Sequence, residues 1–138
     1  FFLNSLAHPQ LKCRTIAHDP LGVAVSHEHC LAKSRKLSLR QLADEPIILF
    51  ARERNPALFD SVRSGIPGFA SDQLLEASSR QVAIMMAASG LGIAIIAESM
   101  RSCCPESVRY IPLSNKALGT DIVMGWLPSK SNVLGDFI

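Results

Sequence analysis

The sequence has no apolar run long enough to cross a membrane as a helix. Its longest uncharged stretch, Gln81 to Ala97, falls short of the roughly 20 residues a span needs and is broken by Ser89, Gly90 and Gly92. Charge of one sign is also missing: 14 Lys+Arg against 12 Asp+Glu leave a net charge of only +2. That excludes the dense basic footprint of a nucleic-acid surface. The four cysteines, Cys13, Cys30, Cys103 and Cys104, form no CxxC pair, and the adjacent two are poorly placed to bridge. They read as reduced thiols of a cytoplasmic protein. The start lacks the basic region and cleavage site of a secretory signal. There is no GxSxG elbow, and Gly90-Leu91-Gly92 lacks the remainder of a dinucleotide fingerprint. No catalytic residue, cofactor or enzymatic activity is therefore expected. Internal repeats and low-complexity segments are lacking too.

What remains is 138 residues, 48% hydrophobic and 19% charged, enough for one ordinary globular domain with its own core. The apolar ends, Phe1-Phe2-Leu3 without Met and Asp136-Phe137-Ile138, read as those of a piece of a larger protein or a remnant gene product. Leu21 to Val25 fits a buried strand after Pro20. Ser38 to Ala43 reads as a short helix capped by Ser38. Ile47 to Phe50 is a strand too apolar to have a solvated face. Asn55-Pro56 predicts a sharp helix start, with a stop near Gly65. A strand is expected near Gln73 to Ala77. Ser78 with Gln81 then fits a capping box opening a helix through Val82 to Ala88, apolar nearly all round and so buried. Leu91 to Ala97 follows as a central strand, Glu98 to Ser102 as a helical turn, and Val108 to Leu113 and Asp121 to Trp126 as further strands. A weak helix is expected over 131–138. Strands alternating with helices imply an α/β fold with a mostly parallel sheet and helices on both faces.

In such sheets ligands bind beyond the carboxyl ends of the strands, against helix N-termini. Phe50 leads into the helix at Asn55, and Ala77 into the helix at Ser78. Each N-terminus offers unpaired N–H groups and partial positive charge. Arg52 and Arg54 lie beside the first and Arg80 in the first turn of the second. Together they suit a small carboxylate. Plain capping by Asn55, Ser78 and Gln81 is the default reading, and Arg52-Glu53-Arg54 is by default a solvated loop of mixed charge. The readings coexist, because a cap uses only some of the N–H groups. His27, His29 and Cys30 cluster after a strand, but their spacing matches no recognised metal site, so a surface loop without metal is expected. Met85-Met86 reads as core filling.

Several segments resemble one family. His18-Asp19-Pro20-Leu21 running to His27-Glu28-His29 is similar to the strand-to-loop segment of LysR-type effector domains, which usually closes on a His-Pro-Leu-Ala tetrad. Here the tetrad is His29-Cys30-Leu31-Ala32. Leu39 to Ile48, Leu-Arg-Gln-Leu-Ala-Asp-Glu-Pro-Ile-Ile, resembles the family's L-x-D-L-A-x-E-P-F-I stretch. Glu76 to Gln81, followed by Ala88-Ser89-Gly90-Leu91-Gly92-Ile93-Ala94, resembles its helix followed by A-A-G-L-G-V-A-L-V-P. The pieces come in family order over about residues 15–113. Cys30 and Ala97 each stand where the family usually has Pro.

The resemblance implies a periplasmic-binding-protein-like fold of two lobes with an effector in the cleft between them. Residues 1–25 would be a remnant of the first lobe with a crossing strand, 26–97 the second lobe, and 98–138 the return crossing and the first lobe's C-terminal part. The crossing strands Leu21 to Val25 and Ile93 to Ala97 would form the hinge. The ligand positions implied are Ser78, Ser79 and Gln81 and the loop after Phe50, with Arg52, Arg54 and Asn55. The expected function is sensing of a small carboxylate, aromatic-derived compounds included, for a transcription regulator. The expected partners are that effector and further copies of the chain in a homo-oligomer. DNA would be reached only through an N-terminal helix-turn-helix of a full-length protein, and no membrane is expected. A free-standing small-molecule-binding protein and a truncated dimerisation or interaction module are the alternatives.

Overall fold

The fold is organised by short strands that no solvated surface could accept. In a computed structural model of the chain, which describes residues 2–3 and 11–128, strand β3 (Ile47–Phe50) has three of its four residues buried. Strand β5 (Ile93–Ala97) has four of five buried. Their alternate side chains enter two cores. Ile47, Leu49, Ile93 and Ile95 join Phe59 and Val62 on one face. Ile48, Ala94 and Ile96 join Ala83, Ile84 and Ala87 on the other. Helix α1 (Pro56–Gly65) supplies the first pair and helix α2 (Arg80–Ala88) the second trio, so the helices cover opposite faces as expected. Each fully buried Ile or Leu side chain contributes about 1.5–3 kcal/mol relative to exposure.

Strand β4 (Leu74–Ala77) pairs in parallel with β3, residue for residue from Ile47↔Leu74 to Phe50↔Ala77. Strand β5 pairs in parallel with β3 on its other side. Elsewhere the sheet is antiparallel, so it is mixed rather than mostly parallel. The reason lies in the connections, since parallel pairing needs a long crossover. Helices α1 and α2 provide only two. The remaining strands meet β2 (Lys12–Ser26), which runs against every partner it has. Its second half lies between β5 and β6 (Val108–Pro112). Its first half pairs with β7 (Gly119–Trp126), and β7 pairs with β1 (Phe2–Leu3).

The expected strand at Leu21 to Val25 is therefore the buried end of a 15-residue strand. Pro20 does not bound it; it sits opposite Gly119, where β2 leaves one set of partners for the other. The first half escapes a reading by hydrophobicity because it is exposed over Lys12 to His18. Two clasps hold the changeover. Asp19 accepts the Ser99 N–H (3.1 Å) and the Ser99 hydroxyl (2.6 Å). His18 bonds the Asp121 carboxylate through Nδ1 (2.8 Å) and the Lys116 carbonyl through Nε2 (2.9 Å).

Other expected elements differ in detail. The turn Leu39–Leu42 is a 3-10 helix, with Gln41 reaching back to the Ser38 N–H at 2.9 Å. Helix α2 is not buried all round: Val82 and Met85 are exposed, because only the side bearing Ala83, Ile84 and Ala87 faces the sheet. The helix closes on Gly90 at φ +77°, a left-handed conformation that glycine adopts at no steric cost. The 3-10 turn Glu98–Cys103 follows β5 as expected. The helix expected over 131–138 lies outside the described residues.

Tyr110 sits across from Ala24 in the β2–β6 pair with its ring against Gly22, where any Cβ would collide with it. Its hydroxyl is buried without a hydrogen-bond partner among the described residues. Burial first, then Glu98 and Asp19, pushes the phenol up to about 12. Gly22→Ala is expected to destabilise the fold by about 1–3 kcal/mol through overpacking. Tyr110→Phe removes an unsatisfied polar atom and should leave stability unchanged or raise it. Urea unfolding of both variants checks this, and a large loss in Tyr110→Phe would contradict it.

The His18 clasp gives a pH dependence. The hydrogen bond to Asp121 holds the imidazole above its ordinary 6.5, helped by the Lys116 carbonyl. Only the protonated ring can donate from both nitrogens. The clasp's contribution is therefore full below the unfolded-state range and is lost as pH rises through the folded-state value. A proton NMR titration should give a His18 midpoint above 6.5, falling toward it in Asp121→Asn.

Candidate functional site

Three parallel strands, β3, β4 and β5, end side by side at Phe50, Ala77 and Ala97. The chain leaves two of these ends to start helices. Beyond them lies a cleft of about 400 Å³. Phe50, Arg54, Asn55, Ser78, Ser79 and Gln81 line it together, joined by Leu58, Arg80 and Ala97. From the crossing region come Leu21 on β2 and Thr120 on β7. Arg52 is the one expected site residue outside this lining. Its guanidinium forks onto Asp60 at 2.9 and 2.7 Å, and the pairing raises its pKa and lowers that of Asp60.

The two helix N-termini are unequal. At α1 the Asn55 side chain accepts the Leu58 N–H at 3.1 Å, and Pro56 has no N–H to offer. At α2 the cap is Ser79, not Ser78 as the capping-box pattern suggested. Ser79 has extended backbone, and its Oγ accepts the Val82 N–H at 3.2 Å. The helix thus begins one residue later, and Gln81 falls too early in the first turn to complete a box. That displacement leaves the Ser78 hydroxyl without a partner among the described residues. It also leaves the Arg80 and Gln81 N–H groups without an intrahelical acceptor. The N-terminus of α2 is the better anion site, where the helix dipole favours negative charge.

Arg80 places its guanidinium 5.8 Å from the centre of the Phe50 ring, a cation–π distance. The cleft thus has an apolar floor of Phe50, Leu58 and Ala97 and a cationic rim of Arg54 and Arg80. The arrangement suits a flat or apolar body carrying one carboxylate. Among the described residues that line it, no acid and base are paired within hydrogen-bond reach of a nucleophile. Leu21 and Thr120 were missed by sequence reasoning. Thr120 carries no local signal, because it reaches the cleft only through the pairing of β7 with β2, about a hundred residues earlier in the chain. A more open groove of about 760 Å³ lies among His27, Arg35, Arg101 and Arg109. It is not at the carboxyl ends of the parallel strands.

Ser79→Ala is expected to cost about 1 kcal/mol as a lost N-cap. Ser78→Ala should stay within about 0.5 kcal/mol, as for an ordinary exposed position. Chemical denaturation of the two variants separates cap from non-cap, and a reversed order would return the cap to Ser78.

The family model of the LysR substrate binding domain matches residues 1–138, which leaves no part of this chain for a helix-turn-helix. The HTH-type transcriptional regulator BudR of Raoultella terrigena is 32% identical over 115 residues, covering 82% of this chain and 40% of that protein. The chain spans less than half the length of the curated relatives it matches. Among solved structures, the BenM effector binding domain with its effector benzoate superposes with a TM-score of 0.80 at 22% identity, covering 95% of this chain and 61% of that one. The reduced OxyR regulatory domain from Pseudomonas aeruginosa gives 0.78 at 17% identity, covering 98% and 66%. These relatives are transcriptional regulators rather than enzymes, and the superpositions carry the periplasmic-binding-protein-like fold. By its sequence over the whole chain and by its fold, this protein belongs to the LysR substrate-binding domain family.

Proposed function

We propose that the chain is the effector-sensing part of a LysR-type transcriptional regulator and binds a small carboxylate in the cleft between β3–β5 and the crossing strands. The observation that carries this reading is the N-terminus of α2. There, among the described residues, the Arg80 and Gln81 N–H groups and the Ser78 hydroxyl stand unused beside the Arg80–Phe50 pair. The carboxylate would lie on the N–H groups, with Ser78 and Arg54 beside it, and its apolar body against Phe50 and Leu58. The benzoate of the related BenM domain is a ligand of this chemical kind. Arg52, tied to Asp60, serves on this reading as a brace for the loop after β3 rather than as a ligand contact.

The lobes divide at Pro20. Residues 26–97 form the second lobe, with β6 added at its edge through β2. The first half of β2, with β1 and β7, belongs to the first lobe. A ligand touching both Thr120 and Ser78 would favour the closed arrangement by the difference between its contacts in the two states. Self-association is supported by the exposed Val82 and Met85 on the outer side of α2. The protein works in the cytoplasm without catalysing a reaction, and it reaches DNA through a segment outside these residues.

Isothermal calorimetry of the chain against benzoate- and muconate-like carboxylates, paired with their uncharged amides, tests the reading. Carboxylates are expected to bind at least tenfold more tightly than the amides, a discrimination of about 1.4 kcal/mol or more. Ser78→Ala should weaken them by roughly tenfold without loss of stability. Equal binding of acid and amide, or an unaffected Ser78→Ala, would overturn it.

A further inference from the structure

At the opposite end of the sheet from the cleft, three ligand-bearing side chains from two distant segments converge. Strand β2 ends at Ser26 and leads into the 3-10 turn Cys30–Lys33, while β3 begins just after Glu45 and Pro46. Because the two strands run in opposite senses, the end of one lies near the start of the other. The His29 imidazole, the Cys30 thiol and the Glu45 carboxylate therefore meet, with one ligand atom from each within 4.8 Å of the others. His29 Nε2 is 3.2 Å from Glu45 Oε2, and Cys30 Sγ is 3.8 Å from His29 Nδ1. These two distances run to different ring nitrogens, and one of the two nitrogens lies within 4.8 Å of both the Cys30 sulfur and a Glu45 oxygen, within reach of an ion bound at about 2.0 Å to nitrogen and oxygen and about 2.3 Å to sulfur.

Hydrogen bonds hold the three residues together while no ion is bound. The Leu31 N–H donates to Nδ1 at 3.2 Å, which leaves the ring proton on Nε2 facing Glu45. The Glu45 backbone is tied to the Leu42 carbonyl at 3.1 Å. Cys30 is exposed, so an ion can enter without unfolding. The sequence showed two members of this group but not the third, since sixteen residues separate His29 from Glu45. His27, the neighbour in sequence, is not in the group.

We infer that His29, Cys30 and Glu45 form a binding site for a divalent cation of the zinc class, chosen by a nitrogen, sulfur and carboxylate oxygen donor set. The ion takes the place of the proton that Nε2 presents to Glu45. The ring proton moves to Nδ1, the Leu31 N–H gives up that acceptor, and the Cys30 thiol loses its proton. One proton is thus released for each ion bound. Three protein ligands leave a fourth position for water, and partial exposure makes the ion exchangeable. When bound, it ties the loop after β2 to the start of β3. This site is independent of the carboxylate cleft.

The test uses the full chain without an affinity tag, with Cys13, Cys103 and Cys104 changed to Ala so that Cys30 is the sole thiol. Cobalt(II) is titrated in, following near-ultraviolet thiolate-to-metal absorption and the protons released in weak buffer. Zinc then competes it off. One ion per chain, one proton per ion, loss of the absorption in Cys30→Ser and at least tenfold weaker binding in Glu45→Gln are expected. No thiolate absorption, absorption that survives Cys30→Ser, or unchanged affinity in Glu45→Gln would overturn the proposal. Both variants change exposed or half-exposed groups, and circular dichroism of each confirms that it is folded.

Discussion

Everything in this fold depends on β2 being one continuous strand with two different sets of neighbours. From Leu21 to Val25 it is buried on both sides and hydrogen-bonded to β5 and β6. From Lys12 to Pro20 it is mostly exposed and hydrogen-bonded to β7. A strand cannot satisfy its backbone in an apolar interior without partners on both edges, and these are supplied from β5 and β6, some 70 to 90 residues away in sequence. The cleft exists because of this arrangement. Thr120 stands beside Ser78 and Phe50 only because β7 follows the exposed half of β2 while β3–β5 follow the buried half. His18 and Asp19 secure the changeover by polar bonds, so the join is held by groups that respond to water and protons rather than by packing alone.

Burial and polar bonding act together at α2. Its inward side is small, with Ala83 and Ala87 flanking Ile84, which lets the helix lie close to the sheet. Its N-terminus meets the cleft with one N–H satisfied by Ser79 and two left over. The same economy at α1 gives a closed end, since Asn55 and Pro56 between them leave little unsatisfied. Two helices that look alike as secondary structure thus differ in what they offer a ligand.

Much of this was legible in the sequence where the signal was local. The run Ile47 to Phe50, the Asn55-Pro56 start and the Gly65 stop each carry their own physical cause, and all three appear where expected. The rule that ligands sit beyond strand ends pointed to Phe50, Arg54, Asn55 and Ser78, the capping pattern to Gln81 and the family resemblance to Ser79, and one cleft gathers them. What could not be read was set by distant partners. The polar half of β2 has no hydrophobic pattern because, among the described residues, nothing covers Lys12 to His18. The cap moved from Ser78 to Ser79 because β4 runs on to Ala77 beside Phe50, and the chain needs Ser78 to leave the strand. Arg52 was drawn away by Asp60, a choice between acceptors that spacing does not resolve. The exposed side of α2 could not be told from a buried one by composition.

Gly92 lies hard against backbone: a Cβ there would come 2.5 Å from the Pro46 carbonyl oxygen, the same oxygen that accepts the Ile93 N–H at 2.8 Å. This contact joins positions 46 residues apart and starts the parallel pairing of β3 with β5. In folding terms it is a late and slow closure, since a chain segment of that length loses considerable freedom before the first bond rewards it. The β3–α1–β4 unit, whose strands pair across a shorter loop, is then the natural nucleus, with α2 and β5 condensing onto it. Pairing of β2 with β7, across about a hundred residues, comes later still. Until then the first half of β2 presents an unpaired edge, the feature through which incompletely folded chains associate.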